Sequence, residues 1–106
     1  MIRHIVLARF KPQASEDAIA RIFSGLAKVV ARHPDAGNFL AGRSASPEQM
    51  ERGYRHGFTI DFKDWAALDA YANDVEHRAL GARLVALAQD GQDGLIVLDI
   101  DVPASL

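Results

Sequence analysis

The sequence predicts an α+β domain whose elements run strand, helix, strand, strand, helix, strand. Three observations carry that expectation. The stretches Ile2–Phe10, Tyr54–Phe62 and Leu95–Val102 are rich in Ile, Val, Leu and Phe and alternate as half-buried strands do. Two longer stretches, from Ser15 and from Asp64, repeat apolar residues at helical spacing behind a capping side chain. The four prolines, Pro12, Pro34, Pro47 and Pro103, all fall between or after these segments, where a missing N–H is harmless.

Taken in order, Ile2–Phe10 is the first strand. Ser15 caps the first helix, and Glu16 and Asp17 sit in its first turn, at the positive end of the helix dipole. Ile19, Ile22, Phe23, Leu26, Val29 and Val30 form its apolar stripe to about Arg32, and His33-Pro34 ends it. Asn38–Arg43 is a short second strand. Ser46 to Met50 reads as a turn opening one or two helical turns, stopped by Gly53. The third strand runs from Tyr54 to Phe62, with Tyr54, His56, Phe58, Ile60 and Phe62 on one face. Asp64 caps a second helix carrying Trp65, Leu68 and Tyr71. Asn73-Asp74 interrupts it before a further helical stretch with His77, Leu80, Leu84 and Leu87 along one side. Gly91–Gly94 is a turn. In the last strand, Ile96, Leu98, Ile100 and Val102 share one face, with Asp99 and Asp101 opposite.

This order is the ferredoxin-like split βαββαβ, with one antiparallel four-stranded sheet and helices on one face only. The other face is expected to carry Ile5, Leu7, Leu95 and Val97 among Arg3, Arg9, Thr59 and Asp61. A half-apolar sheet face calls for a partner. The expected partner is a second copy of the chain, packed sheet to sheet as a dimeric α+β barrel.

Composition narrows the function classes. The 106 residues are expected to form a single domain, 1–106, with 49% hydrophobic and 25% charged residues and a net charge of −2. The basic residues are dispersed among acids, so nucleic-acid binding is not expected. With no cysteine there is no thiol nucleophile, disulfide or thiolate metal site. No apolar run approaches the ~18 residues of a membrane span, and the N-terminus has no signal-peptide layout, so the expected location is the cytoplasm.

Polar groups interrupt the apolar faces at four points. Strand alternation puts His4 with Ile2, Val6 and Ala8, and His56 with Phe58, Ile60 and Phe62. Helical spacing puts Tyr71 with Leu68, and His77 with Leu80 and Leu84. If the helices pack on the sheet, these four groups converge on one interlayer space. Burial of an imidazole favours its neutral form, a base near neutral pH, and a tyrosine hydroxyl beside it would orient that base or donate to a developing oxyanion. The competing reading is structural: each histidine a core residue satisfied by one hydrogen bond, and Tyr71 packing. His33 reads as a helix-terminal residue without a function. A histidine metal site is disfavoured because no HxH or HxxxH pair exists, and heme on one axial histidine is a further alternative. No phosphate-cradling loop is present, since Gly91-Gln92-Asp93-Gly94 lacks the motif.

The opening Met1-Ile2-Arg3-His4-Ile5-Val6-Leu7 with Phe10-Lys11, the Gly53-Tyr54-Arg55-His56 segment, the Tyr71-to-His77 segment and the closing Leu98-Asp99-Ile100 together resemble the stress-responsive A/B barrel domain family, over essentially the whole chain. The resemblance implies a ferredoxin-like subunit that pairs through its sheet. One type of member, the olivetolic acid cyclases, performs a cofactor-free aldol condensation. By that resemblance His77 would be the base and Tyr71 would hold the substrate carbonyl. His4, His56, Phe23 and Leu26 would line the pocket, Leu26 standing where the cyclase type has an aromatic residue. The expected function is therefore a dimeric barrel protein with a helix–sheet pocket for a small carbonyl or aromatic ligand and no cofactor. The alternatives are a cyclase or aldol-type lyase and a heme-binding or monooxygenase-like barrel.

Overall fold

The computed structural model describes residues 1–104. Its elements are β1 (Ile2–Ala8), α1 (Glu16–Arg32), β2 (Ala36–Arg43), β3 (His56–Phe62), α2 (Trp65–Ala72), α3 (Val75–Leu87), a short 3-10 turn at Gly91–Gly94 and β4 (Leu95–Asp101). The strands form one antiparallel sheet in the order β2-β3-β1-β4, the ferredoxin-like arrangement expected from the sequence.

Capping side chains set the helix starts. The Ser15 hydroxyl accepts the N–H of Ala18, the Asp64 carboxylate that of Ala67, and the Asp74 carboxylate those of Glu76 and His77. Because Asp74 caps a helix of its own, the second helical region is two helices. The α1 stripe is buried as its spacing required: Ile19, Ile22, Phe23, Leu26, Val29 and Val30 meet Ile2, Val6, Phe58, Ile60 and Phe62 of the sheet. Helices α1 and α3 pack closely at Gly25, where an added Cβ would lie 2.8 Å from the Leu80 side chain. Among the described residues no helix is long and apolar enough to cross a membrane.

Several boundaries differ from expectation. β1 ends at Ala8, and Phe10 makes only an isolated bridge to Ala88. β2 begins at Ala36 and carries an irregularity between Gly37 and Leu40, where Asn38 has φ +52°. The expected helical turn after Pro47 is absent; the 44–55 connection is made of turns, with Gly53 at φ +89°. Tyr54 lies outside β3 and donates its hydroxyl to the Asp93 carbonyl at 3.2 Å.

The larger correction concerns the faces of β4. Val97 stands opposite Val6, Asp99 opposite His4 and Asp101 opposite Ile2. Directly opposed residues share a face, so Leu95, Val97, Asp99 and Asp101 lie on the helix side. Ile96, Leu98 and Ile100 lie on the outer side with Ile5 and Leu7. The expected placement was the reverse. The alternation of β4 points its apolar row Ile96, Leu98 and Ile100 inward and Asp99 and Asp101 outward, and the register against β1 reverses this. Val97 is 57% exposed even so. β4 is an edge strand, and α1 and α2 pack over β2 and β3 instead.

Corrected in this way, the outer face is more apolar than expected. Leu7, Leu40, Ile96, Leu98 and Ile100 are all exposed there. Its main polar feature is the two-pronged Arg3–Asp61 pair, at 2.8 and 3.0 Å, joined by the Asn38 amide.

Candidate functional site

The site is built around Tyr71, on the last turn of α2, with its side chain turned into the layer between helices and sheet. It is 2% exposed. Four rings surround it. His77 of α3 lies 4.2 Å away between centroids, Phe62 of β3 at 5.2 Å, His33 at the end of α1 at 6.2 Å, and His4 of β1 at 6.3 Å. Every neighbouring histidine has a hydrogen-bond partner. The Tyr71 hydroxyl does not: among the described residues it is buried with no partner at all.

A buried unpaired hydroxyl costs about 1–3 kcal/mol relative to a paired one. Burial, and secondarily the Asp74 carboxylate, push the Tyr71 pKa far up, so the group stays protonated as a donor.

The histidine tautomers follow from their partners. His77 Nδ1 is 3.1 Å from the Ala72 carbonyl, which can only accept, so Nδ1 carries the proton. In the neutral ring Nε2 then holds the lone pair. Desolvation pushes the His77 pKa below its ordinary value, with the nearby His4 acting in the same direction. His4 Nδ1 is 2.6 Å from Asp99 Oδ1, and an ionised carboxylate likewise requires the proton on Nδ1. Two imidazoles beside Tyr71 thus have Nε2 clear of these bonds.

Asp74 ties the cluster together. Besides capping α3, its carboxylate accepts from His33 Nε2 at 2.8 Å and from Arg32 at 3.1 Å. The His33 bond and the backbone N–H groups of His77 and Glu76 hold its pKa down to about 2. One carboxylate therefore fixes the end of α1 against the start of α3, directly beside Tyr71.

His4, Tyr71 and His77 come together as the sequence suggested. His56 does not join them. In the antiparallel register His4 faces Ile60 and His56 faces Ala8, so the two histidines are four residues apart along the sheet, about 13 Å at strand spacing. His56 instead bonds both oxygens of Glu16, at 3.0 and 3.1 Å, and packs edge-on to Phe10. Phe23 goes with it, lining a cleft beside His56, while Leu26 is 1% exposed within the core. The expectation of a single four-residue constellation is corrected accordingly. A shared face does not fix position along a strand.

Three residues of the cluster escaped the sequence reading. In sequence His33 reads only as a helix end, Asp74 as part of a helix break, and Asp99 falls on the face opposite to the one the register gives it. The Asp74-x-x-His77 spacing was the one available signal.

The profile of the Stress responsive A/B Barrel Domain family matches residues 2–102. The chain belongs to this family. The A/B barrel identified from the sequence is thus borne out. A relative, the stress-response A/B barrel domain-containing protein HS1 of Arabidopsis thaliana, is 29% identical over 76 residues, 72% of this chain and 70% of that protein. A dimeric ferredoxin-like protein of unknown function from Jannaschia sp. CCS1 superposes with a TM-score of 0.89 at 33% identity, over 95% of this chain and 98% of that one. The hydroxynitrile lyase of Passiflora edulis superposes at 0.84 with 19% identity, over 99% of this chain and 95% of that one, a likeness of fold alone.

Proposed function

We propose that this A/B barrel protein is a homodimer whose His4–Tyr71–His77 cluster binds a small carbonyl compound, with the Tyr71 hydroxyl donating to the carbonyl oxygen. The observation that carries the reading is that hydroxyl, protonated and buried without a partner among the described residues. A ligand oxygen would satisfy it, and the surrounding rings offer an apolar, aromatic wall. His4 and Asp99 border the side toward β4, over which the helices do not chiefly pack. The dimer is supported by the exposed apolar outer face of the sheet and by the dimeric ferredoxin-like relative of 33% identity.

Proton transfer on the bound carbonyl compound is a second reading, favoured by the free Nε2 and depressed pKa of His77. Nε2 would take the proton from the carbon next to the carbonyl. The C–H electrons would move onto the oxygen, and the Tyr71 O–H would stabilise the enolate. Attack of the enolate carbon on a second carbonyl carbon, with that C=O π bond opening and its oxygen taking the proton held by His77 Nε2, would complete an aldol-type addition.

NMR titration with acetophenone tests the binding. Saturable shifts of the Tyr71 and His77 ring signals are expected, together with an affinity about tenfold weaker in Tyr71→Phe. No shift at either ring, or equal affinity in the variant, would overturn it.

A further inference from the structure

A second cleft lies at the other end of the sheet, around His56. Its volume is about 540 Å³. Four cationic side chains line it, Arg9, Lys11, Arg43 and Arg55, with Glu16 as the one lining carboxylate. Glu16 is already engaged, accepting from Arg43 at 2.6 Å and from His56. Arg55 makes no close ion pair among the described residues, although the Glu51 carboxylate lies near enough to feel its charge, and Arg9 Nε is buried without a hydrogen-bond partner among them.

Arg9 is held in place. One terminal nitrogen reaches Asp90 at 3.2 Å, and its guanidinium lies 5.4 Å from the Tyr54 ring centroid. Gly53 makes room for it: at φ +89°, a Cβ there would stand 3.0 Å from Arg9 Cδ. The cleft therefore carries a positive surplus on Lys11 and Arg55, beside a pre-positioned Arg9 whose Nε is unmet among the described residues.

Its other wall is apolar. Phe10 and Ile19 line it, and a narrower slot of about 290 Å³ shares Glu16, Ile19, Arg43 and His56 with it and continues to Phe23 and Ala41. Cations at the mouth of a hydrocarbon-lined slot match an amphiphilic anion. The planar arginine fork suits a carboxylate, and the slot has the size of a short chain or a single ring.

We propose that this cleft binds a small amphiphile with one carboxylate head, seated among Arg9, Arg43 and Arg55, and a short hydrocarbon body lying over Phe10 and Ile19 toward Phe23. It is separate from the Tyr71 cluster and does not rest on the role given to that cluster.

Octanoate serves as the probe, titrated into the full chain by NMR beside octanol and acetate. Octanoate is expected to shift the Phe10 and His56 signals saturably, with octanol and acetate each about tenfold weaker or more. Arg55→Gln, at an exposed position where folding is checked by circular dichroism, should weaken octanoate about tenfold, and added salt should weaken it in the parent protein. Equal binding of octanol, equal binding by Arg55→Gln, or shifts confined to the outer sheet face around Leu98 would overturn the proposal.

Discussion

The imidazole of His77 lies 4.2 Å from the ring of Tyr71, tilted by 42°, and the two differ in one respect that organises the site. His77 is anchored through Nδ1 to the Ala72 carbonyl, whereas the Tyr71 hydroxyl is anchored to nothing described. A buried, unmet hydroxyl beside a pre-oriented imidazole is the arrangement on which the proposed binding reading rests. Pure packing would be served better by phenylalanine.

Acid should weaken the fold through His77. Its pKa is lower in the folded chain than the ordinary 6.5, so below 6.5 the unfolded chain takes up the proton first. Stability is then full above 6.5 and falls with pH until the folded-state pKa is passed. Urea melts between pH 7 and 5 should show this slope, and His77→Gln should flatten it with the fold retained at pH 7. A slope unchanged in the variant would assign the effect elsewhere.

Asp74 acts at lower pH and in the same direction. Its stabilisation is present above the ordinary 3.8 and is lost as pH falls toward about 2. Asp74→Ala should lower the melting temperature at pH 7 more than Asp74→Asn, because asparagine retains the capping oxygen. Both should loosen the junction of α1 and α3, read as faster amide exchange at Glu76 and His77. Equal melting temperatures for both variants would show that capping contributes little here.

The register of β4 makes the dimer face testable one residue at a time. Leu7→Asp and Leu98→Asp place charge on the outer face and should convert dimer to monomer in light scattering. Val97→Asp, one residue away but on the helix side, should leave the dimer intact. Dissociation by Val97→Asp alone would contradict the face assignment.

The sequence carried the fold because its signals agreed with one another. Ser15, Asp64 and the α1 stripe each mark one boundary or face, and alternation in β1 and β3 selects the buried side. It failed at β4, where the apolar row Ile96, Leu98 and Ile100 faces outward and Asp99 and Asp101 face the helices, because the outer face is itself uncovered and apolar. It failed again at His56, because alternation reports a face and says nothing of distance along it. His4, Tyr71 and His77 were legible since helical spacing and strand parity each point them inward. Their carboxylate partners Asp74 and Asp99 were not, because those contacts depend on how α1, α3 and β4 meet.

Tyr71→Phe, measured for stability and for acetophenone binding on the same sample, tests the central claim most directly. Removing a hydroxyl that is buried and unpaired should stabilise the fold by about 1 kcal/mol, since an unmet donor is lost, while acetophenone binding falls about tenfold. A variant that is less stable than the parent and binds acetophenone equally well would contradict the account, because it would mean the hydroxyl already has a partner within the protein and serves structure alone.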